Sequence, residues 1–357
     1  MISPAEIEDS AQKIVPGILD AYKTELAKRI VGQQEMLEGL LMALIAGGHI
    51  LLEGVPGLAK TLAVKSLADI TGLSFKRIQF TPDLLPADLT GTLVWEQASG
   101  TFSVRRGPVF AHVILADEIN RAPAKVQSAL LEAMEERQVT IGETTYPLAD
   151  PFFVLATQNP IEHEGTYILP EAELDRFLLK LLIRYPSMEE ETQILQMTAS
   201  QKTLSLKTGE QWPPLQPVLD AATLTTLRTA ADCVFIDKQI VAYIVSVVAA
   251  SRPVASKASA PRPKGGRLPG EVVEKALKEE LYRYIAFGAS PRASIALYRC
   301  SRIRALFGGR SFVSPEDVKA VALPVLRHRI VLSYEAEAAG LDPDAVISRL
   351  LTVVPVP

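Results

Sequence analysis

Cysteine is almost missing from this sequence: only Cys233 and Cys300 occur in 357 residues. Two thiols so far apart cannot form a disulfide framework, and they lack the paired spacing of a zinc site. A reducing cytoplasm is the expected compartment. Histidine is scarce too. His49, His112, His163 and His328 share no metal-ligand spacing, which leaves them structural roles. Long apolar runs are also absent. The stretch 236–250 is broken by Asp237, Lys238 and Gln239 and is too short to cross a bilayer. Residues 1–20 have neither the basic start nor the apolar core of a signal peptide. No charge sign dominates: 22% of residues are charged and the formal net charge is −4, a composition that does not suggest a nucleic-acid or membrane protein as a whole. Ser, His and Asp are available for a hydrolytic triad, but no nucleophile motif accompanies them.

What is present is a long chain with ordinary composition, 48% hydrophobic. Its length exceeds what one core usually holds, so two domains are expected. Apolar residues recur at helical spacing over 5–46, and Gly47-Gly48 ends that pattern. Short apolar runs then follow at 49–53, 75–80, 113–117, 152–157 and 178–183, separated by helical or hairpin sequence. Strands alternating with helices give an α/β class and a parallel sheet flanked by helices, with ligands expected at the carboxyl ends of the strands. After Tyr185-Pro186 the pattern changes: Ser187 and Glu190 read as a capping box, and only helical stripes follow, at 221–231, 240–250, 272–287 and 293–306. Helix starts are also expected at Ser314-Pro315-Glu316 and Asp342-Pro343. The expected division is therefore 1–186 for an α/β domain and 187–357 for an all-α domain. Residues 251–270 are rich in Pro, Ser and Gly, carry five basic residues (Arg252, Lys257, Arg262, Lys264 and Arg267) and hold no acid. That composition describes a basic linker, either a solvated connector or a binder of an acidic partner.

The chemistry starts at Gly54-Val55-Pro56-Gly57-Leu58-Ala59-Lys60-Thr61, followed by Leu62, between an expected strand and an expected helix. In that setting the glycines let backbone N–H groups turn toward a phosphate, and the helix start adds its positive end. Lys60 would reach the β- and γ-phosphates and Thr61 would ligate Mg²⁺. Ala59 stands where a glycine usually precedes the lysine, so a methyl group there crowds the loop. A second motif, Val113-Ile114-Leu115-Ala116-Asp117-Glu118, is an apolar strand ending in two carboxylates, expected on a neighbouring strand of the same sheet. Asp117 suits the Mg²⁺ shell and Glu118 suits the orientation of an attacking water. Alone, such a strand end is commonplace; beside the loop it is specific.

Together with Asp117-Glu118-Ile119-Asn120-Arg121, Ala156-Thr157-Gln158-Asn159-Pro160, Leu174-Asp175-Arg176-Phe177 and Ser290-Pro291-Arg292-Ala293, these motifs closely resemble the MoxR family of AAA+ ATPases. The resemblance covers nearly the whole chain, and the family commonly carries alanine at the position of Ala59. It implies an AAA+ parallel sheet followed by an all-α lid, with ATP and Mg²⁺ as cofactors. It also implies four roles: Asn159 as the sensor-1 residue, Arg176 as an arginine finger offered to a neighbouring subunit, Arg292 as sensor 2 on the lid, and Ile30-Val31-Gly32 as the segment against adenine. Read without the family, Asn159-Pro160 is a turn, Arg176 a surface residue, Arg292 a solvated first-turn residue and Ile30-Val31 ordinary core. Residues 83–110 resemble the helix-2 insertion of magnesium-chelatase-like relatives, with a hairpin around Ser99-Gly100, and 137–148 form a second hairpin around Gly142-Glu143. In the family these face a central pore or a partner; as bare sequence they are surface hairpins.

The resemblance implies a homo-oligomer, a hexameric ring, working with a von Willebrand factor A domain protein on a client protein, as a chaperone that couples ATP hydrolysis to remodelling or maturation. Two other readings compete. One is a nucleotide-gated scaffold with little turnover, which Glu118 and Arg176 argue against. The other is a nucleic-acid motor, which the acidic net charge disfavours and the basic linker keeps open. Family members pass more briefly from the residues matching Ser251-Arg252-Pro253 to those matching Gly288–Ala293, so an insertion is expected between them.

Overall fold

The computed structural model describes residues 4–55, 57–160, 166–208, 212–253 and 281–357, with side chains left aside for 4–13 and 200–208. Pro56, His163, most of the linker and most of the expected stripe 272–287 lie outside the described residues. The chain forms two compact units, Met1–Ala231 and Asp232–Pro357.

In the first unit, α1 (Pro4–Ala27) and α2 (Gln34–Ala46) share the long helical stretch expected for 5–46. Gly47 closes α2 in a left-handed conformation, φ 65°. The sheet follows: β1 (Ile50–Glu53), α3 (Lys60–Thr71), β2 (Phe75–Gln79), α4 (Pro86–Thr90), β3 (Gly91–Glu96), β4 (Thr101–Arg106), β5 (Val113–Asp117), α5 (Ala124–Glu136), β6 (Gln138–Ile141), β7 (Thr144–Pro147), β8 (Phe153–Gln158), α6 (Glu171–Leu174) and β9 (Leu179–Leu182). Five strands form one sheet in the order β2-β5-β8-β1-β9, all paired in parallel.

The central strands carry apolar side chains on both faces because helices cover both. Val113, Ile114, Leu115 and Ala116 in β5 are fully buried, and so are Val154, Leu155 and Ala156 in β8. Phe80, Phe152 and Phe177 anchor the core on one face, each worth roughly 1.5–3 kcal/mol of burial. β2 is different. It lies at the sheet edge with Ile78 buried and Lys76, Arg77 and Gln79 exposed, so the run 75–80 is not uniformly apolar. Arg77 and Gln79, two residues apart on a strand, share a face.

Both expected hairpins form, β3 with β4 and β6 with β7, and Gly100 turns the first with φ +65°. Trp95 and Phe102 meet edge-on across β3 and β4 at 5.0 Å while staying exposed. Helices α7 (Met188–Thr208) and α8 (Ala221–Cys233) follow. The capping box at the start of α7 is complete: Ser187 N donates to Glu190 Oε2 at 2.8 Å and Glu190 N to Ser187 Oγ at 3.2 Å. The sequence changes character at 186, whereas the compact units divide at 231. The segment between them is tied back to the first unit: Gln216 N donates to Glu25, Arg29 to Pro213 O, Val218 N to Ile70 O, and Arg228 to Leu44 O.

The second unit holds α9 (Lys238–Ala250), β10 (Ile285–Phe287), α10 (Pro291–Phe307), β11 (Val331–Leu332), α11 (Pro315–Leu326), α12 (Tyr334–Ala338) and α13 (Pro343–Val353). Ser290, Ser314 and Asp342 cap α10, α11 and α13, each with proline at the first helical position, as expected. The expectation of helices alone fails here, because β10 and β11 pair antiparallel, Ile285 with Leu332 and Phe287 with Val331. Strands of 3 and 2 residues are too short to display an alternating pattern.

Candidate functional site

β1 ends at Glu53, and Gly54 leaves the sheet pressed against the end of β9. A Cβ on Gly54 would lie 2.8 Å from Ile183 Cβ and 2.9 Å from its carbonyl oxygen, so the loop can leave there only through glycine. Gly57 has φ +87° and Ala59, at the N-cap of α3, has φ 54°; both are left-handed. No side chain caps α3. Its first-turn amides therefore face the loop as unspent donors, the arrangement that receives a phosphate. Lys60 Nζ donates to Gly54 O at 2.6 Å, folding the lysine over its own loop. Burial pushes its ammonium below the usual value, while Asp117, Glu118 and Glu53 pull it back up.

The carboxylates arrive differently. β5 is not the neighbour of β1, as the sequence alone suggested; β8 lies between them. Thr157, near the end of β8 and 1% exposed, bridges that gap: its Oγ1 donates to Asp117 Oδ1 at 2.6 Å and accepts from Glu118 N at 2.8 Å. Arg77 comes in from β2 on the other side. Its Nε and Nη2 both donate to Asp117 Oδ2, at 3.0 and 2.6 Å. Glu118 has φ 56° and ψ 51°, a left-handed conformation that costs on the order of 1–3 kcal/mol outside glycine and tends to occur at functional sites. Its Oε2 accepts from Gln79 Nε2 at 2.6 Å and pairs with Arg121 Nε at 3.2 Å. Two carboxylates are thus held by side chains from β2, β8 and the turn after β5.

These parts enclose a cavity of about 400 Å³ at the carboxyl ends of the strands. Of the residues expected there, Gly57, Ala59, Lys60, Thr61, Leu62, Asp117, Glu118 and Asn159 line it. Gly54, Val55 and Leu58 belong to the loop outside the lining. Sequence reasoning missed Arg77 and Thr157, which also line it. The signal for Arg77 was the polar alternation of β2, and for Thr157 a hydroxyl in an otherwise apolar strand. Ile30, Val31 and Gly32 are not among the lining residues. Glu190 occupies the space a side chain on Gly32 would need, and Gln33 Nε2 donates to Arg184 O at 3.1 Å. Arg176, just after α6, pairs with Glu135 Oε2 of α5 at 3.0 Å and is not in the lining. Arg292 belongs to the second unit, exposed in the first turn of α10.

An uncapped helix start, an ammonium, the Thr61 hydroxyl and two carboxylates in one cavity form a donor set that fits a magnesium-bound polyphosphate. The remaining histidine of structural interest is His49, buried before β1. Val154 N donates to its Nδ1, its Nε2 meets Met134 O, and burial holds its pKa down at about 3.

Comparison with known proteins bears on the whole chain. Residues 49–179 match the ATPase family associated with various cellular activities (AAA), and residues 282–350 match the AAA lid domain. The chaperone MoxR1 of Mycobacterium tuberculosis is 46% identical over 333 residues, 93% of this chain and 81% of that protein. The protein MoxR of Methylorubrum extorquens is 32% identical over 94% of each chain. A crystal structure of a candidate ATPase from Cytophaga hutchinsonii superposes with a TM-score of 0.82 at 44% identity, covering 98% of both chains. With Lys60, Thr61, the two carboxylates and Asn159 in one cavity and relatives matched over 81–98% of their lengths, the chain belongs to the MoxR family of AAA+ ATPases.

Proposed function

We propose that this chain hydrolyses ATP in a ring of its own copies and couples that hydrolysis to the remodelling of a protein partner. The observation that carries this reading is the convergence of Lys60, Thr61, Asp117, Glu118 and Asn159 on one cavity. Lys60 and the amides of α3 hold the phosphate chain, and Thr61 and Asp117 hold the metal. When bound, Mg²⁺ supplies positive charge against the phosphate oxygens. Glu118 would orient a water and take its proton as the water oxygen bonds the γ-phosphorus and the bond to the β–γ bridging oxygen breaks, releasing ADP and phosphate. Asn159 would fix that water or the phosphate with its amide.

Arg176 completes the site from a neighbouring subunit. Its place outside the cavity lining and its pairing with Glu135 fit a residue that serves another copy's site. Arg292 acts as a second sensor from the lid, and Ile30, Val31 and Gly32 border the adenine. Family resemblance supports a six-membered ring and a von Willebrand factor A domain partner that presents the client. Hydrolysis is favoured over passive gating because Glu118 and Arg176 have roles in turnover and none in affinity.

The test is subunit mixing. Lys60→Ala and Arg176→Ala are each expected to be nearly inactive, since an arginine finger is worth on the order of 10³–10⁵ in rate. Mixed rings regain partial activity, because a Lys60→Ala subunit still lends Arg176 to an intact loop. Proven co-assembly without any recovery would overturn the shared site.

A further inference from the structure

The residue that the nucleotide reading leaves without a role is Arg77. It reaches from the edge strand β2 to the carboxylate expected to face the metal, placing two N–H donors on one oxygen, Asp117 Oδ2. Thr157 already occupies the other oxygen, Oδ1. Asp117 is therefore engaged on both oxygens, and its side chain is only 13% exposed against 50% for Arg77. An arginine needed only to hold the strand together would not have to end on the one carboxylate that a divalent cation requires. Arg77 also lines the cavity itself.

We propose that Arg77 is a placeholder cation: it neutralises Asp117 when no nucleotide is bound, and the divalent ion is admitted only when Arg77 leaves that carboxylate for the phosphate chain of the incoming nucleotide. This inference rests on the reading of Asp117 as a metal-holding residue. The physics is a charge exchange. A divalent ion beside Asp117 would stand next to a guanidinium of the same sign, an unfavourable juxtaposition in a partly buried cavity. A triphosphate removes that conflict, because two oxygens of a phosphate group can each accept an N–H from the planar guanidinium, a stronger pairing than two donors on a single carboxylate oxygen. The exposed half of Arg77 leaves its stem free to turn, as a residue on an edge strand can. Nucleotide and metal then bind cooperatively, with the reciprocity that thermodynamic linkage requires.

The test uses the full chain without nucleotide and Mn²⁺ as the probe, with free Mn²⁺ followed by electron paramagnetic resonance. Arg77→Ala is expected to bind Mn²⁺ at least about tenfold more tightly than the wild type, and to bind metal-free ATP several-fold more weakly. Adding Asp117→Asn to Arg77→Ala removes the gain, which locates the new affinity at that carboxylate. Arg77→Lys keeps a charge but not the forked geometry, so it falls between the two and serves as the measured variant if the alanine form melts early. Mn²⁺ affinity in Arg77→Ala or Arg77→Lys equal to or weaker than the wild type, with melting unchanged, overturns the proposal. So does a gain that survives Asp117→Asn. Titration of wild-type protein with Mg²⁺ and ATP separates the two levels: if the wild type binds no nucleotide, the nucleotide reading fails, whereas normal nucleotide binding without the Mn²⁺ gain condemns the placeholder alone.

Discussion

The two walls of the cavity are built on opposite principles. The phosphate-loop wall, from β1 through Ala59 into α3, works through backbone: positive φ at Gly57 and Ala59, close passage at Gly54 and an uncapped helix start. The carboxylate wall works through side chains drawn from three strands, with Asp117 and Glu118 braced by Arg77, Gln79, Thr157 and Arg121. A backbone device is contiguous in sequence, whereas a side-chain device is contiguous only after folding. Substitutions should therefore separate the walls: the first governs affinity, the second governs turnover and the order of assembly.

The largest separation is expected between Lys60→Ala and Glu118→Gln. Lys60→Ala removes the only side-chain cation of the loop and should abolish measurable ATP binding. Glu118→Gln keeps size and hydrogen bonding but cannot accept a proton, so affinity should stay within about threefold while turnover falls by on the order of 10²–10⁴. Calorimetric titration and a phosphate-release assay read the two effects. Wild-type hydrolysis by Glu118→Gln would remove it from the chemistry and collapse the distinction between the walls.

This contrast also explains what the sequence disclosed. The loop was legible because its glycines, lysine and threonine are consecutive, and the sheet was legible because β5 and β8 are continuous apolar runs. Asp117 and Glu118 were legible as the end of such a run. Arg77 and Gln79 were not, because a run read as apolar over 75–80 hides an edge strand whose polar residues alternate onto one face. Thr157 was hidden by looking like a strand residue, and its role depends on β8 lying between β1 and β5, an order that local pattern does not encode. β10 and β11 were missed because they are too short for any period to show, and the change of sequence character at 186 does not coincide with the change of compact unit at 231.

A smaller effect sharpens the carboxylate wall. Thr157→Val has the same shape without the hydroxyl, which strands the Glu118 N–H and strips Asp117 Oδ1 of its donor. A buried group left unpaired costs about 1–3 kcal/mol. For a unit of this size, each kcal/mol lowers the melting temperature by roughly 2–4 °C. Turnover should fall more than ATP affinity, because the loop is untouched, and Thr157→Ser should restore both melting and rate. Equal losses in affinity and turnover would mean the walls are not independent.

The smallest effect is expected at Ala59, where the loop wall tolerates a methyl group in a conformation that favours glycine. With φ 54° and ψ 17° the residue sits in the left-handed region, which costs an L-residue roughly 1–2 kcal/mol. Ala59→Gly removes that strain. Glycine, however, gives the unfolded chain extra freedom worth about 0.4–1 kcal/mol, which offsets part of the relief. The net change should lie between zero and about 1.6 kcal/mol of added stability, a rise in melting temperature of no more than roughly 6 °C. ATP affinity should stay within about twofold, since the phosphate meets the amides of α3 and not the methyl group. Ala59→Val makes the complementary case: a β-branched side chain tolerates positive φ poorly, so it should lower both melting and affinity. If Ala59→Gly instead weakens ATP binding tenfold while melting rises, the methyl group is holding the amides in register, and the loop wall depends on a side chain after all.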